Sequence, residues 1–204
     1  MKKCFSVLIC LILILCLSVA SAGVSVGYES KDDVNYYGNT DVLTQQLESL
    51  QAFKFQIHKE GIGYGTCPVF TGPSADSFRC ANGRASVQTT GERIDVAGYD
   101  DSGWLLIRYQ TNNGSTRVGY IPPRYVQGFK TGMELHFQQI PMVANNEIRV
   151  TDNPLDGWSA FGLLYPGEEY TILAQYTYIG DWYYIECDID GHRARGFIEK
   201  SAIY

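Results

Sequence analysis

Residues 186–198 read ECDIDGHRARGFI, with Glu186, Asp188 and Asp190 on alternate positions and Gly191 directly after them. Such a run could open a calcium loop, because carboxylate oxygens spaced by one residue can converge on a hard cation. An EF-hand loop, however, needs a bidentate Glu six residues after its glycine, and Phe197 stands there. It also needs a helix on each side, whereas the flanks WYYIEC and RARGFI are β-rich. Asp190-Gly191 is therefore read as a hairpin turn, since Asp-Gly readily supplies positive φ. No metal or cofactor is expected.

Other chemistry is sparse. The chain has no G-x-S-x-G elbow, no H-E-x-x-H pair and no phosphate-binding glycine loop. A cysteine-dependent hydrolase would have to draw on Cys67, Cys80 or Cys187 with His58, His136 or His192 as base. Cys187 ends a β-rich run where an earlier, similar run has Tyr109, which reads as a packing position, and His192 falls just past a turn. No catalytic role is assigned.

The elements that would carry any site lie behind a leader. Met1-Lys2-Lys3, the apolar run Phe5 to Val19 and Ala20-Ser21-Ala22 have the form of a secretory signal, with cleavage expected after Ala22. Cys16 follows ILIL, which does not suit lipid attachment. The expected product is secreted or cell-surface, with no integral membrane span once the signal is removed. Its net charge falls from −6 to −8 when Lys2 and Lys3 leave, and no basic stripe is present to hold nucleic acid. Three of six cysteines leave with the leader. Cys67 and Cys80 could close a short disulfide loop, or all three remaining thiols could be small buried hydrophobes.

Two stretches repeat each other. Residues 103–126 read GWLLIRYQTNNGSTRVGYIPPRYV and residues 181–203 read DWYYIECDIDGHRARGFIEKSAI. Each has Trp (Trp104, Trp182), a turn glycine (Gly114, Gly191), and five residues later a second glycine (Gly119, Gly196) followed by aromatic-Ile. Fixed-spacing self-similarity marks a repeated structural unit. Upstream, CPVFTGPSADS and IRVTDNPLDG both place a β run before a turn proline, Pro73 and Pro154. The organisation expected is a signal at 1–22, an N-terminal arm at 23–60, one unit at 61–126, a linker at 127–134 and a second unit at 135–204. In the arm, Leu43, Leu47 and Leu50 form an i, i+4, i+7 stripe that predicts a short helix, and FKFQIH then alternates as a strand.

The turn proline of TGPS, together with GW-apolar and G-[YF]-I joined by a hairpin, resembles bacterial SH3-like domains of the exported type. That resemblance implies an all-β chain of two tandem small SH3-like β-barrels after a short helical or extended arm. It also implies a non-catalytic module that binds cell-wall peptidoglycan, through its peptide or glycan, or another exported surface protein. An accessory or inhibitory partner of a wall enzyme is the alternative.

Aromatics are abundant: fifteen Tyr, nine Phe and three Trp. Strand alternation sets Leu105, Ile107, Tyr183 and Ile185 on one face, and Trp104, Leu106, Trp182 and Tyr184 on the other. If the first set fills the cores, Trp104 and Trp182 lie outside them. There they either form a ligand platform with Pro122 and Pro123, or pack against the other copy or the arm. Tyr99, Tyr120 and Tyr125 are further candidates in the first copy, and Tyr176 and Tyr178 in the second.

Overall fold

The computed structural model describes residues 40–58, 65–90, 94–126, 133–155, 159–178 and 180–203. The expected signal and the rest of the arm before residue 40 lie outside the described residues, as does most of the linker. Thr40–Tyr204 forms one compact unit. In chain order it runs α1 (Thr40–Glu48), β1 (Gln56–His58), β2 (Thr66–Pro68), β3 (Ser86–Gln88), β4 (Ile94–Tyr99), β5 (Leu105–Gln110) and β6 (Thr116–Ile121). It continues with β7 (Ile140–Val143), β8 (Ile148–Thr151), β9 (Ala160–Leu164), β10 (Glu169–Tyr176), β11 (Trp182–Ile189) and β12 (His192–Glu199). A turn of 3-10 helix follows β6 (Pro123–Tyr125) and another follows β12 (Lys200–Ile203). The all-β class is met. The strands form a four-stranded sheet β1-β4-β5-β6, a six-stranded sheet β7-β10-β11-β12-β8-β9 and the small pair β2-β3. None of the three closes into a barrel.

The repeat is visible strand by strand. β4-β5-β6 and β10-β11-β12 are both antiparallel meanders. Each carries a β-bulge at the same place in its first strand: Ala97 is the extra residue in β4 and Leu173 in β10. The second-glycine positions explain themselves sterically. Phe70 bridges Tyr120 beside Gly119, and Thr151 pairs with Phe197 beside Gly196. A Cβ on Gly119 would stand 2.7 Å from the Phe70 carbonyl oxygen, and one on Gly196 2.9 Å from that of Thr151. Only glycine lets the early strand cross so close to the meander.

The turns differ as their sequences require. Asp190 (φ 53°) and Gly191 (φ 77°) make a two-residue connection, and the Gly191 N–H donates to Asp188 Oδ1 at 2.7 Å. Both central residues at positive φ are what a type I′ hairpin demands. The first copy needs a longer loop, closed by Thr111 N–H donating to the Ser115 carbonyl at 2.9 Å. The acidic stretch runs along β11 with Glu186 and Asp188 and ends in the turn at Asp190.

Three apolar layers follow from strand alternation. Cys67, Val69, Ile94, Val96, Leu105, Ile107 and Ile121 form the core of the first copy. Ile148, Val150, Ile172, Tyr183, Ile185 and Ile198 form that of the second, and Leu47 of α1 and Leu50 just past its end close it, with Leu43 against its edge. The opposite faces of both meanders meet in a third layer of Leu106, Val118, Tyr120, Leu173, Tyr176, Trp182, Tyr184 and Phe197, with Phe53 from the arm. Two arginines flank that layer, each reaching from one copy to a tyrosine of the other. Arg108 pairs with Asp95 and donates to Tyr176 Oη at 3.1 Å. Arg195 pairs with Glu186 and donates to Tyr120 Oη at 3.0 Å. The arm also docks onto the second copy, where Gln175 Nε2 donates to the Leu50 carbonyl at 2.7 Å.

Candidate functional site

The central layer decides the fate of the aromatic candidates. Tyr120, Tyr176 and Trp182 are 0, 1 and 8 % exposed, and Pro122 is buried. Trp104 is half-buried, its ring edge-on to Phe70 at 5.3 Å. Tyr99 and Tyr125 pack against the first core. These side chains therefore do not assemble into an exposed platform; of the two readings of Trp104 and Trp182, packing between copies is the one observed. Pro123 remains exposed, and Tyr178 is 69 % exposed. Tyr178 belongs to the second copy, yet its ring lies 5.4 Å from the Arg108 guanidinium of the first.

Cys67, Cys80 and Cys187 are free thiols, so the possible Cys67–Cys80 bridge is not formed. Cys67 is a core residue whose Sγ lies 3.7 Å from the Val87 carbonyl. Burial pushes the Cys67 and Cys187 thiols up to about 12. Cys80 moves in the same direction through burial and the neighbouring Asp152 carboxylate. A nucleophilic cysteine needs the opposite shift. His192 and His136 are exposed, the first 3.1 Å from the Asp76 carbonyl and the second 3.8 Å from Asp101.

A different constellation lies where the two copies meet. A cleft of about 820 Å³ is walled by Tyr109 and Arg117 from the β5-β6 hairpin and by Phe78 and Cys80 from the segment between β2 and β3. Asp152, just after β8, and Phe161 on β9 complete it from the second copy. Tyr109 and Arg117 stand directly opposite each other in the hairpin. The neighbouring Val118 N–H donates to the Asp152 carbonyl at 2.7 Å, which stitches the hairpin to the second copy at this point. Arg117 is ion-paired to Asp152, and the Cys80 thiol lies beside the same carboxylate. Burial pushes the Asp152 carboxyl up, against the pull of Arg117 and Cys80. Phe78 and Phe161 stack with centroids 5.6 Å apart and planes 20° apart, one ring from each copy. The rim carries the amides of Asn82, Gln110 and Asn112, and Arg84. Ala81 and Asn82 hold positive φ there (55° and 52°), which breaks the helical turn Cys80–Gly83.

A larger hollow, about 1070 Å³, runs along β9 and the β11-β12 turn of the second copy. Its charged groups are chiefly the exposed carboxylates of Glu168, Glu169, Asp188 and Asp190. No cluster of His, Cys, Asp and Glu among the described residues could hold a metal ion. The junction cleft is the better candidate, because it joins an aromatic wall, a partly buried cation and neutral polar groups in one concavity.

No protein-family model, curated protein or solved structure matches this chain. The functional reading therefore rests on the residues themselves. Sequence spacing missed the cleft because its members are far apart in the chain: Arg117 and Asp152 are 35 residues apart. The one available signal was the turn-proline segment of each copy, which supplies Phe78 and Cys80 in one and Asp152 in the other. No helix among the described residues is long and apolar enough to cross a membrane.

Proposed function

We propose that the protein is an exported, non-catalytic binding module. In this reading two SH3-like copies grip cell-wall peptidoglycan, through its peptide or glycan, in the cleft between them. The observation that carries the reading is the junction cleft itself: neutral amides, a stacked phenylalanine pair and a guanidinium converge there, while the nearby thiol is held protonated. Such a lining binds by hydrogen bonding and stacking and offers no activated nucleophile. Support for the SH3-like description of each copy comes from the bulged meander, the following 3-10 turn and the early strand crossing at glycine, all of which recur in both halves. Localisation by a signal at residues 1–22 is part of the same proposal.

Co-sedimentation of the purified protein with peptidoglycan sacculi tests it. Wild-type protein is expected in the pellet, and Arg84→Glu, an exposed rim change, is expected to weaken binding while leaving the fold intact. Trp104→Ala and Trp182→Ala are expected to act on stability, since both rings serve packing. Protein that stays in the supernatant throughout would remove the wall as ligand and leave an exported protein, such as a wall enzyme, as the partner to seek.

A further inference from the structure

The charge inside the cleft is opposite to that of the molecule. The chain carries −6 overall, yet among the described residues the ionisable side chains facing this concavity, apart from the protonated Cys80 and Tyr109, are Arg84, Arg117 and Asp152. Asp152 is 3 % exposed and already paired with Arg117, so it presents little charge to a ligand. Arg117 is 26 % exposed, and among the described residues its guanidinium makes a hydrogen bond only to Asp152. A guanidinium has five N–H donors in a fixed fork, so further donors remain to serve an acceptor in the cleft.

We infer that the cleft recognises a carboxylate-bearing peptide, with Arg117 receiving the carboxylate and the Phe78–Phe161 pair receiving a small apolar side chain beside it. The inference rests on the proposed binding role and specifies its ligand chemistry. A carboxylate matches the planar fork of one guanidinium. A phosphate group would be better served by several free cations or by the N-terminus of a full helix, whereas here Arg117 already shares its charge with Asp152 and Arg84 stands at the exposed rim. The remaining groups, Asn82, Gln110 and Asn112, are suited to peptide amides. The concavity has the volume of a short peptide rather than of a folded partner.

The test compares N-acetyl-alanyl-alanine with its C-terminal amide by titration calorimetry on the purified protein. Inorganic phosphate serves as a third probe. The free acid is expected to bind roughly tenfold or more tightly than the amide, the discrimination that hydrogen bonds to a charged group provide. Arg117→Gln alone would strand the Asp152 carboxylate, so it is combined with Asp152→Asn. That double variant, folded by circular dichroism, is expected to bind acid and amide equally. Equal affinity for the two in the wild type, no binding of either, or an acid preference that survives the double variant would each overturn the assignment. Phosphate binding more tightly than the acid would also overturn it. Acid preference without sacculus binding would sink the wall reading and leave this one standing; sacculus binding without acid preference would do the reverse.

Discussion

Cys67 and Cys187 illustrate how a titratable side chain reports its surroundings. Both thiols are pushed from 9.0 to about 12 by burial. Tyr170 moves from 10.0 to about 12 for the same reason. The folded chain therefore keeps protons that the unfolded chain gives up between pH 9 and 12. Fewer protons on the unfolded state mean that stability falls as pH rises through that window. Each fully shifted group contributes a loss of about 1.4 kcal/mol per pH unit. Urea midpoints measured from pH 8 to 11 are expected to drop steadily above pH 9, and a flat profile would contradict the burial of these groups. The core assignments of Leu105, Ile107, Tyr183 and Ile185 were legible in the sequence because a strand shows its period of two directly. The packing role of Trp104 and Trp182 was not, because alternation places a side chain on a face without saying what covers that face.

At the level of elements, the second glycine of each repeat is where an early strand crosses the meander. Gly196 packs its missing Cβ against Val150, the Thr151 carbonyl and Phe161. Gly196→Ala is expected to cost roughly 1–3 kcal/mol by overpacking, read as a lowered urea midpoint with an unchanged slope. Gly191→Ala acts differently: nothing lies within 4 Å, and only its positive φ resists a side chain, so its smaller effect comes from backbone strain. Both glycines were visible as fixed points of the repeat, and the hairpin at Asp190-Gly191 was read directly from its dipeptide. The α1 stripe likewise announced its burial through Leu43, Leu47 and Leu50. The bulges at Ala97 and Leu173 were not legible, since an inserted residue looks like a slip in alternation until the partner strand is known. The six-stranded sheet also departs from a simple barrel unit, because β9 extends it beyond β8.

For the molecule as a whole, the middle layer makes the two copies one cooperative body. Far-UV circular dichroism and tryptophan fluorescence are expected to report a single coincident unfolding transition. A fragment of residues 61–126, expected as a separate unit from its sequence, would expose Leu106, Val118 and Tyr120, all 5 % exposed or less in the full chain. It should therefore self-associate rather than fold as a dispersed monomer, as gel filtration would show. A monodisperse, folded fragment would show the layer to be dispensable. The sequence revealed that there were two copies. Their relation was hidden because each contributes only half of the contacts that matter.

Corresponding positions in that layer are unlike in size. Leu106 faces the layer where the second copy has Tyr184, and Ala97 where it has Leu173. Halves that must fit each other cannot remain duplicates of each other. The inequality gives the chain a built-in sense of partner: a first copy from one molecule meets the wrong relief on a first copy from the next. Pairing of like halves from neighbouring molecules is disfavoured by shape, and the weak likeness between the two copies is the trace that this mutual fit leaves in the sequence.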